Sequence, residues 1–307
     1  CKEYRERHSL FTDYRPVTAE TVKSICFEAQ LEGVSAIEYD VQRYVDSRRV
    51  SHYWPVEGFL FDLPHWDGQD RIRTLADCVP CENKEWRNFF YIWFLSMVAH
   101  WLQMDREHAN STSPLLVGPQ GCRKSTFCQS LLPPELRPYF VDGIDLGSRK
   151  DAEMALSRFA LINLDEFDSI PASRQPYLKN LLQKAKVTLR KPYGESIEEM
   201  RRFASFIATS NTFALLTDTT DSRRFIGVEG MIRIEPIDYP QLYAQAVSAL
   251  KEGERFWFTP EEEVLLNRNN RMFEKRPLLE ELFLHYFRIP EEEEGCEPLS
   301  APEILMT

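Results

Sequence analysis

The sequence predicts an α/β fold: a mostly parallel sheet with helices on both faces, preceded by a mainly helical N-terminal region. Three observations carry this prediction. From residue 114 onward, short apolar runs alternate with helical patterns, which is the signature of strand–helix–strand units. Two of those runs end in the groups that phosphate chemistry needs, a glycine-rich turn and a pair of adjacent acids. Before residue 110 the pattern is helical, with its longest apolar stretch at Phe89–Trp101.

In order along the chain, a helix is expected over 18–31, where Thr18 and Glu20–Thr21 suit a helix start, and another over 34–47. Residues 58–73 are dense in aromatics, Pro and Gly and read as a loop. A buried helix follows at 85–104. Strand 114–118 leads into the glycine turn and a helix at 124–132. Strand 159–164 leads to the acid pair, then come a helix at 173–185, a short strand at 187–190 and a strand at 203–209. A strand pair is expected near 224–234, and helices near 240–251, 260–273 and 277–288. Residues 289–307 open with Glu291–Glu294 and contain Pro298 and Pro302, the composition of an acidic linker. The expected organisation is a helical region over 1–110, a nucleotide-binding core over 111–235, C-terminal helices over 236–288 and the linker. The start at Cys1 suggests a piece of a longer polypeptide.

Composition narrows the function classes. The 307 residues are 43% hydrophobic and 12% aromatic, ordinary for a globular protein with a sizeable core. No run of about 18 apolar residues is present, so a membrane span is not expected. Net charge is −11, so a general nucleic-acid coat is excluded and any such contact needs a local basic patch. The seven cysteines are odd in number and lie mostly in apolar segments, which suits the reducing cytoplasm. Cys78-Val-Pro-Cys81 is a lone pair without the four ligands a structural zinc needs.

Five motifs carry chemistry. The first is Gly118-Pro119-Gln120-Gly121-Cys122-Arg123-Lys124-Ser125, followed by Thr126, which fits the phosphate-loop pattern G-x-x-x-x-G-K-[ST] except at one position. A strand delivers the chain to a tight turn, backbone N–H groups face phosphate oxygens, and the following helix adds its positive end. Gly118, Gln120, Gly121, Cys122, Arg123, Lys124, Ser125 and Thr126 are therefore candidates for binding ATP. Lys124 would pair with the β- and γ-phosphates and Ser125 would hold Mg²⁺. Arg123 stands where glycine is usual, so its side chain must turn outward or crowd the phosphates. Its backbone also occupies a position that favours glycine. Decay to a non-hydrolysing nucleotide- or DNA-binding scaffold is the alternative it raises.

The second motif is the strand 160–164 ending in Asp165–Glu166. Asp165 is the candidate Mg²⁺ ligand with Ser125, and Glu166 the candidate that orients the attacking water. The third is Asn211, at the end of strand 203–209, a candidate holder of the lytic water or sensor of the γ-phosphate; Asn is also a common turn residue. The fourth is Arg223–Arg224, which suits a transition-state clamp supplied between subunits, or a solvated pair near Asp218 and Asp221. The fifth is the basic stretch 184–193, in which Lys186, Arg190, Lys191 and Tyr193 suit a single-stranded backbone and a stacked base. A hairpin edge that uses charge against aggregation explains the same residues.

Taken together, GPQGCRKSTF (118–127), LINLDEF (161–167), TLRKPYGE (188–195), RRFASFIATSN (201–211), LTDTTDSRRF (216–225) and LPHWDGQDRI (63–72) resemble the virulence-associated protein E family, over roughly 58–250 and in matching order. That family is similar to superfamily 3 helicases and to the helicase halves of phage and plasmid primases. The resemblance implies an AAA+-like P-loop ATPase of mobile elements that assembles as a homo-oligomer, often a hexameric ring, and moves on single-stranded DNA, frequently downstream of a primase domain. It implies Lys124 and Ser125 on phosphate and Mg²⁺, Asp165 and Glu166 as the acid pair, Asn211 as polar sensor and Arg224 as the better finger of the arginine pair. Arg123 is the departure from the family pattern.

Overall fold

A computed structural model describes residues 3–4, 15–50, 54–104, 110–190, 197–213, 215–216, 222–274, 283 and 286–287. Two short antiparallel strands, Glu3–Tyr4 and Arg15–Pro16, precede two helices, α1 (Ala19–Leu31) and α2 (Glu38–Asp46). Thr18 caps α1 by accepting from the Thr21 N–H at 3.2 Å, while the Thr21 hydroxyl accepts from the Thr18 N–H, a capping box closed by threonine. Helix α2 starts only at Glu38, four residues later than its pattern suggests, because Ile37 is extended and offers no side-chain cap.

The stretch read as a loop, 58–73, is partly helical. Helix α3 (Pro55–Phe61) begins with Pro at its first turn, where a missing N–H costs nothing. Helix α4 (Arg71–Ala76) is capped by Asp70, which accepts from the Arg73 N–H at 3.1 Å. Between them Asp67 and Arg71 form a two-pronged ion pair at 2.6 and 2.7 Å, which holds the Asp67 carboxyl down to about 2. Helix α5 (Trp86–Trp101) buries almost every side chain, as a helix apolar all round must.

Seven strands follow among the described residues: β1 (Ser113–Val117), β2 (Phe140–Asp142), β3 (Leu161–Leu164), β4 (Lys186–Arg190), β5 (Ile197–Arg201), β6 (Ser205–Ser210) and β7 (Phe225–Glu229). Strands β2-β3-β6-β1-β7, in that spatial order, form one wholly parallel sheet. Helices α6 (Lys124–Ser130), α7 (Arg149–Arg158), α8 (Gln175–Gln183), α9 (Tyr239–Lys251) and α10 (Pro260–Asn270) complete the order. Strands β1, β3 and β6 are buried along their whole length, which is why they read as unbroken apolar runs.

The two faces of the sheet make two cores. Leu116, Leu161, Ile207, Ile226 and Val228 pack with α3, α4, α5, α6 and α9. Their neighbours Leu115, Val117, Ile162, Phe206 and Ala208 pack with α7 and α8. This period-two division puts helices on both faces, and it joins helices α3, α4 and α5 to one face of the sheet in a single core.

Three element expectations are corrected. Strand β2 and helix α7 lie in 133–158, where no element was expected, since β2 is only three residues long. The expected pair at 224–234 is one strand. Past Glu229 the chain turns from the sheet: the Arg233 N–H donates to the Cys78 carbonyl at 2.8 Å, and a side chain at Gly230 would collide with the Pro80 carbonyl. Strand β4 pairs with β5, a strand given no range in advance, in the antiparallel hairpin that the alternative reading of the basic stretch expects. The expected helix 277–288 falls almost entirely, and the linker wholly, outside the described residues.

Candidate functional site

Because the sheet is parallel, the loops that leave β1, β3 and β6 all emerge at one end. Strand β6 lies between the other two, with Val117 opposite Ser210 and Leu164 opposite Ala208. Residues 118–123, Asp165–Glu166 and Asn211 therefore meet at the carboxyl edge of the sheet, where open α/β sheets bind ligands.

The glycine turn is held by its strand neighbours. The Gly118 N–H donates to the Ser210 carbonyl at 3.2 Å, and Gly121 takes φ +85°, a conformation glycine adopts without steric cost. Arg123 takes φ +67° and ψ +23° immediately before α6, and its side chain is exposed. Gln120 and Thr126 are exposed on the same turn, and Cys122 is buried beneath it. Lys124 is only 8% exposed. Its ammonium donates to the carbonyls of Gly118 (2.7 Å) and Pro119 (3.0 Å) and to Asn211 Oδ1 (3.0 Å), and lies 3.5 Å from the Cys122 sulfur. A buried ammonium needs such acceptors, and Asn211, far away in sequence, is one of them.

The acid pair sits one strand further on. Asp165 Oδ1 accepts from the Thr209 hydroxyl and from Ser125 Oγ, the latter at 3.5 Å. Sequence reasoning missed Thr209, because a threonine that ends an apolar strand carries no signal of its own. Hydroxyl and carboxylate oxygens side by side are hard donors that suit Mg²⁺, which takes few protein ligands and completes its shell with water and phosphate. Among the described residues no group of three or more His, Cys, Asp or Glu forms a metal cage.

Glu166 takes φ +49°, ψ +49°, left-handed and exposed, and opens a short 3-10 turn over Phe167–Ser169. That turn is anchored by Phe167, packed edge-on to Phe225 at 4.9 Å, and by Asp168, which accepts from Ser210 Oγ at 2.8 Å. The described non-glycine residues with positive φ are Gln103, Arg123 and Glu166, so two of the three lie in this site. Below it, Asn163 donates to Asp142 at 2.8 Å. Cys128 is fully enclosed one helical turn past Lys124. Burial, and then the Asp142 and Asp165 carboxylates, raise its thiol well above the usual range, so it is an inert core group.

The arginine pair is divided. Arg224 is 9% exposed and turned into the fold. Its Nη1 lies 3.5 Å from the Lys179 carbonyl, and with the Gln183 carboxamide oxygen facing it the guanidinium donates at 2.6 and 2.9 Å. Arg223 is exposed and paired with Glu263 at 2.6 Å. The structure therefore does not bring Arg224 to a surface that a neighbouring subunit could reach.

In the basic stretch, Lys186 is exposed on β4 and bonds Glu199 across the hairpin at 2.7 Å, while Lys184 pairs with Glu153. Arg190 closes β4 opposite Ile197. The Arg190 side chain, Lys191 and Tyr193 lie outside the described residues. Of the following pair, Arg201 donates to the His100 carbonyl and Arg202 is buried at 1% exposure.

A family model described as the virulence-associated protein E-like domain matches residues 60–275. No curated protein matches the chain. Solved structures similar to it include the apo structure of the NrS-1 C terminal region (305–718), at 13% identity over 73% of this chain and 56% of that one, with a TM-score of 0.46. The A form apo structure of the same region matches at 14% identity over 69% and 54%, with a TM-score of 0.43. A further A form, CTR(305–718), matches at 17% identity over 70% and 45%, with a TM-score of 0.40. The chain thus spans about half the length of these structures. Among the described residues no helix is long and apolar enough to cross a membrane.

Proposed function

The chain belongs to the virulence-associated protein E-like family, and on that premise we propose that it binds and hydrolyses ATP as the helicase-like motor domain of a mobile-element replication protein. The observation that carries this reading is the meeting of Lys124 with Asn211, and of Ser125 with Asp165 and Thr209, at the carboxyl edge of one parallel sheet.

In this reading Lys124 exchanges the Gly118 and Pro119 carbonyls for β- and γ-phosphate oxygens, and Asn211 keeps it oriented. Ser125 and Asp165 hold Mg²⁺, with Thr209 fixing the carboxylate. The ion, when bound, neutralises charge developing on the phosphates. Glu166, lifted into solvent by its left-handed backbone, orients water for in-line attack. The exposed Arg123 side chain supports hydrolysis over the scaffold alternative, because the ammonium of Lys124, and not the guanidinium, occupies the turn.

The reading extends to assembly as a ring on single-stranded DNA in the cytoplasm, with a primase domain elsewhere in the full chain. The solvent-reaching Arg223 is then the candidate clamp in trans. Calorimetry and a DNA-stimulated ATPase assay test the set. Lys124→Ala is expected to abolish ATP binding. Glu166→Gln and Arg223→Ala are expected to bind ATP normally and to lose at least about 100-fold in kcat, the scale of a lost transition-state contact. Wild-type protein that binds ATP with Mg²⁺ and never turns it over, with or without DNA, would return the reading to a scaffold.

A further inference from the structure

The acids and Asn211 all lie to one side of β1, on β3 and β6. A nucleoside triphosphate is an extended molecule, so with its terminal phosphate on that side its nucleoside must leave across the opposite neighbour, β7. Strand β7 runs beside β1 up to the turn itself, with Glu229 opposite Val117 and the Gly230 N–H donating to the Val117 carbonyl at 3.4 Å. Beside its outer edge, past Asn270, lies a cavity of about 420 Å³. Glu229, Asn83, Asn269, Met272 and Phe273 are among the residues that line it. The volume is that of a small-ligand site.

Its chemistry is specific. Asn83 Oδ1 accepts from the Glu85 N–H at 3.0 Å and from Asn269 Nδ2 at 3.1 Å. Those two donors set the carboxamide with its oxygen engaged. Asn83 Nδ2 is then buried without a partner among the described residues. A buried donor without a partner is costly, so an acceptor that reaches it from a ligand gains more there than at a surface. Glu229 is an exposed carboxylate at the strand end, an acceptor for hydroxyl groups. Phe273 and Met272 add apolar wall.

The geometry points to this cavity as the seat of the nucleoside: Asn83 donates to a ring nitrogen or carbonyl oxygen of the base, and Glu229 accepts from the ribose hydroxyls. This rests on the ATP-binding reading above and adds to it where the base is recognised. Titration calorimetry with Mg²⁺ compares ATP with inorganic tripolyphosphate, which carries the phosphates alone. Wild type is expected to bind ATP at least tenfold more tightly. Asn83→Asp keeps the acceptor oxygen and removes the donor; Glu229→Gln removes the charge without changing shape. Each is expected to weaken ATP about tenfold and leave tripolyphosphate unchanged. Equal affinity of wild type for the two ligands, or an equal loss on both in the variants, would overturn the base site while leaving the phosphate turn standing. Failure of both ligands to bind wild type would remove the ATP reading and this inference together.

Discussion

Arg123 carries the main departure from the phosphate-loop pattern. Its backbone is left-handed, which costs a residue with a Cβ about 1–2 kcal/mol. The side chain pays nothing further, because it projects into solvent. Glycine would relieve the strain but would lose about 0.5–1 kcal/mol through the freedom of the unfolded chain. Arg123→Gly is therefore expected to leave stability within about 1 kcal/mol of wild type, whereas Arg123→Val, β-branched at the same φ, is expected to lose about 1–2 kcal/mol more. Urea unfolding midpoints at unchanged m check both; a large stabilisation by glycine would show that Arg123 strains the turn more than its φ implies. At this scale much of the site was legible. Lys124, Ser125, Asp165, Glu166 and Asn211 follow from residue type and spacing, and the structure brings them to one edge. Thr209 was not legible, because a threonine at the end of a buried strand looks like any other until the fold places Asp165 beside it. Arg224 was misleading for the same reason: charge suggests a surface, and only packing shows a guanidinium folded against α8.

Among the elements, α8 shows how a buried charge can be structural. Its C-terminal carbonyls have no partners within the helix. Arg202 supplies them, donating to Leu182 at 2.7 Å and Lys184 at 3.0 Å, while its Nε reaches Ala204 at 2.7 Å and Nη2 reaches Asn110 at 3.0 Å. One planar fork thus ties the end of α8 to the start of β6 and to the chain entering β1. Arg202→Lys is expected to cost at least about 3 kcal/mol, since a point charge cannot fill several directed bonds and leaves carbonyls unpaired. Chemical denaturation checks it, and a loss below about 1 kcal/mol would mean that water replaces the fork. The edge strand β7 uses a similar device. Asn270 accepts from the Gly227 N–H at 3.0 Å and donates to the Ser222 and Phe225 carbonyls at 2.6 Å each, so a side chain does the work of a neighbouring strand. Long, strongly periodic elements such as α5 and β1 were readable in advance. Strand β2 and helix α3 were not, because so few residues carry too little pattern.

Over the whole molecule, helices α3, α4 and α5 and the sheet that follows the glycine turn share one core, in which α5 lies against Phe127 of α6 and Tyr243 of α9. Neither of the two core clusters includes a residue before Trp54. Removal of residues 1–50 is therefore expected to leave a cooperatively folded protein, with a melting temperature within about 2 °C of the full chain, a shift of roughly 1 kcal/mol at this size. Loss of cooperative unfolding in the truncated chain would show that α1 and α2 support the core. By itself, the sequence determined the α/β class, the glycine-rich turn and the acid pair, because each is written in local residue types at short spacing. Only the tertiary structure decided that β6 stands between the turn and the acids, that Thr209 and Asn211 reach their partners from it, that Arg224 faces inward, and that a cavity opens past β7. Strand order is set by which apolar faces pack together across long separations, and no local pattern in the chain records it.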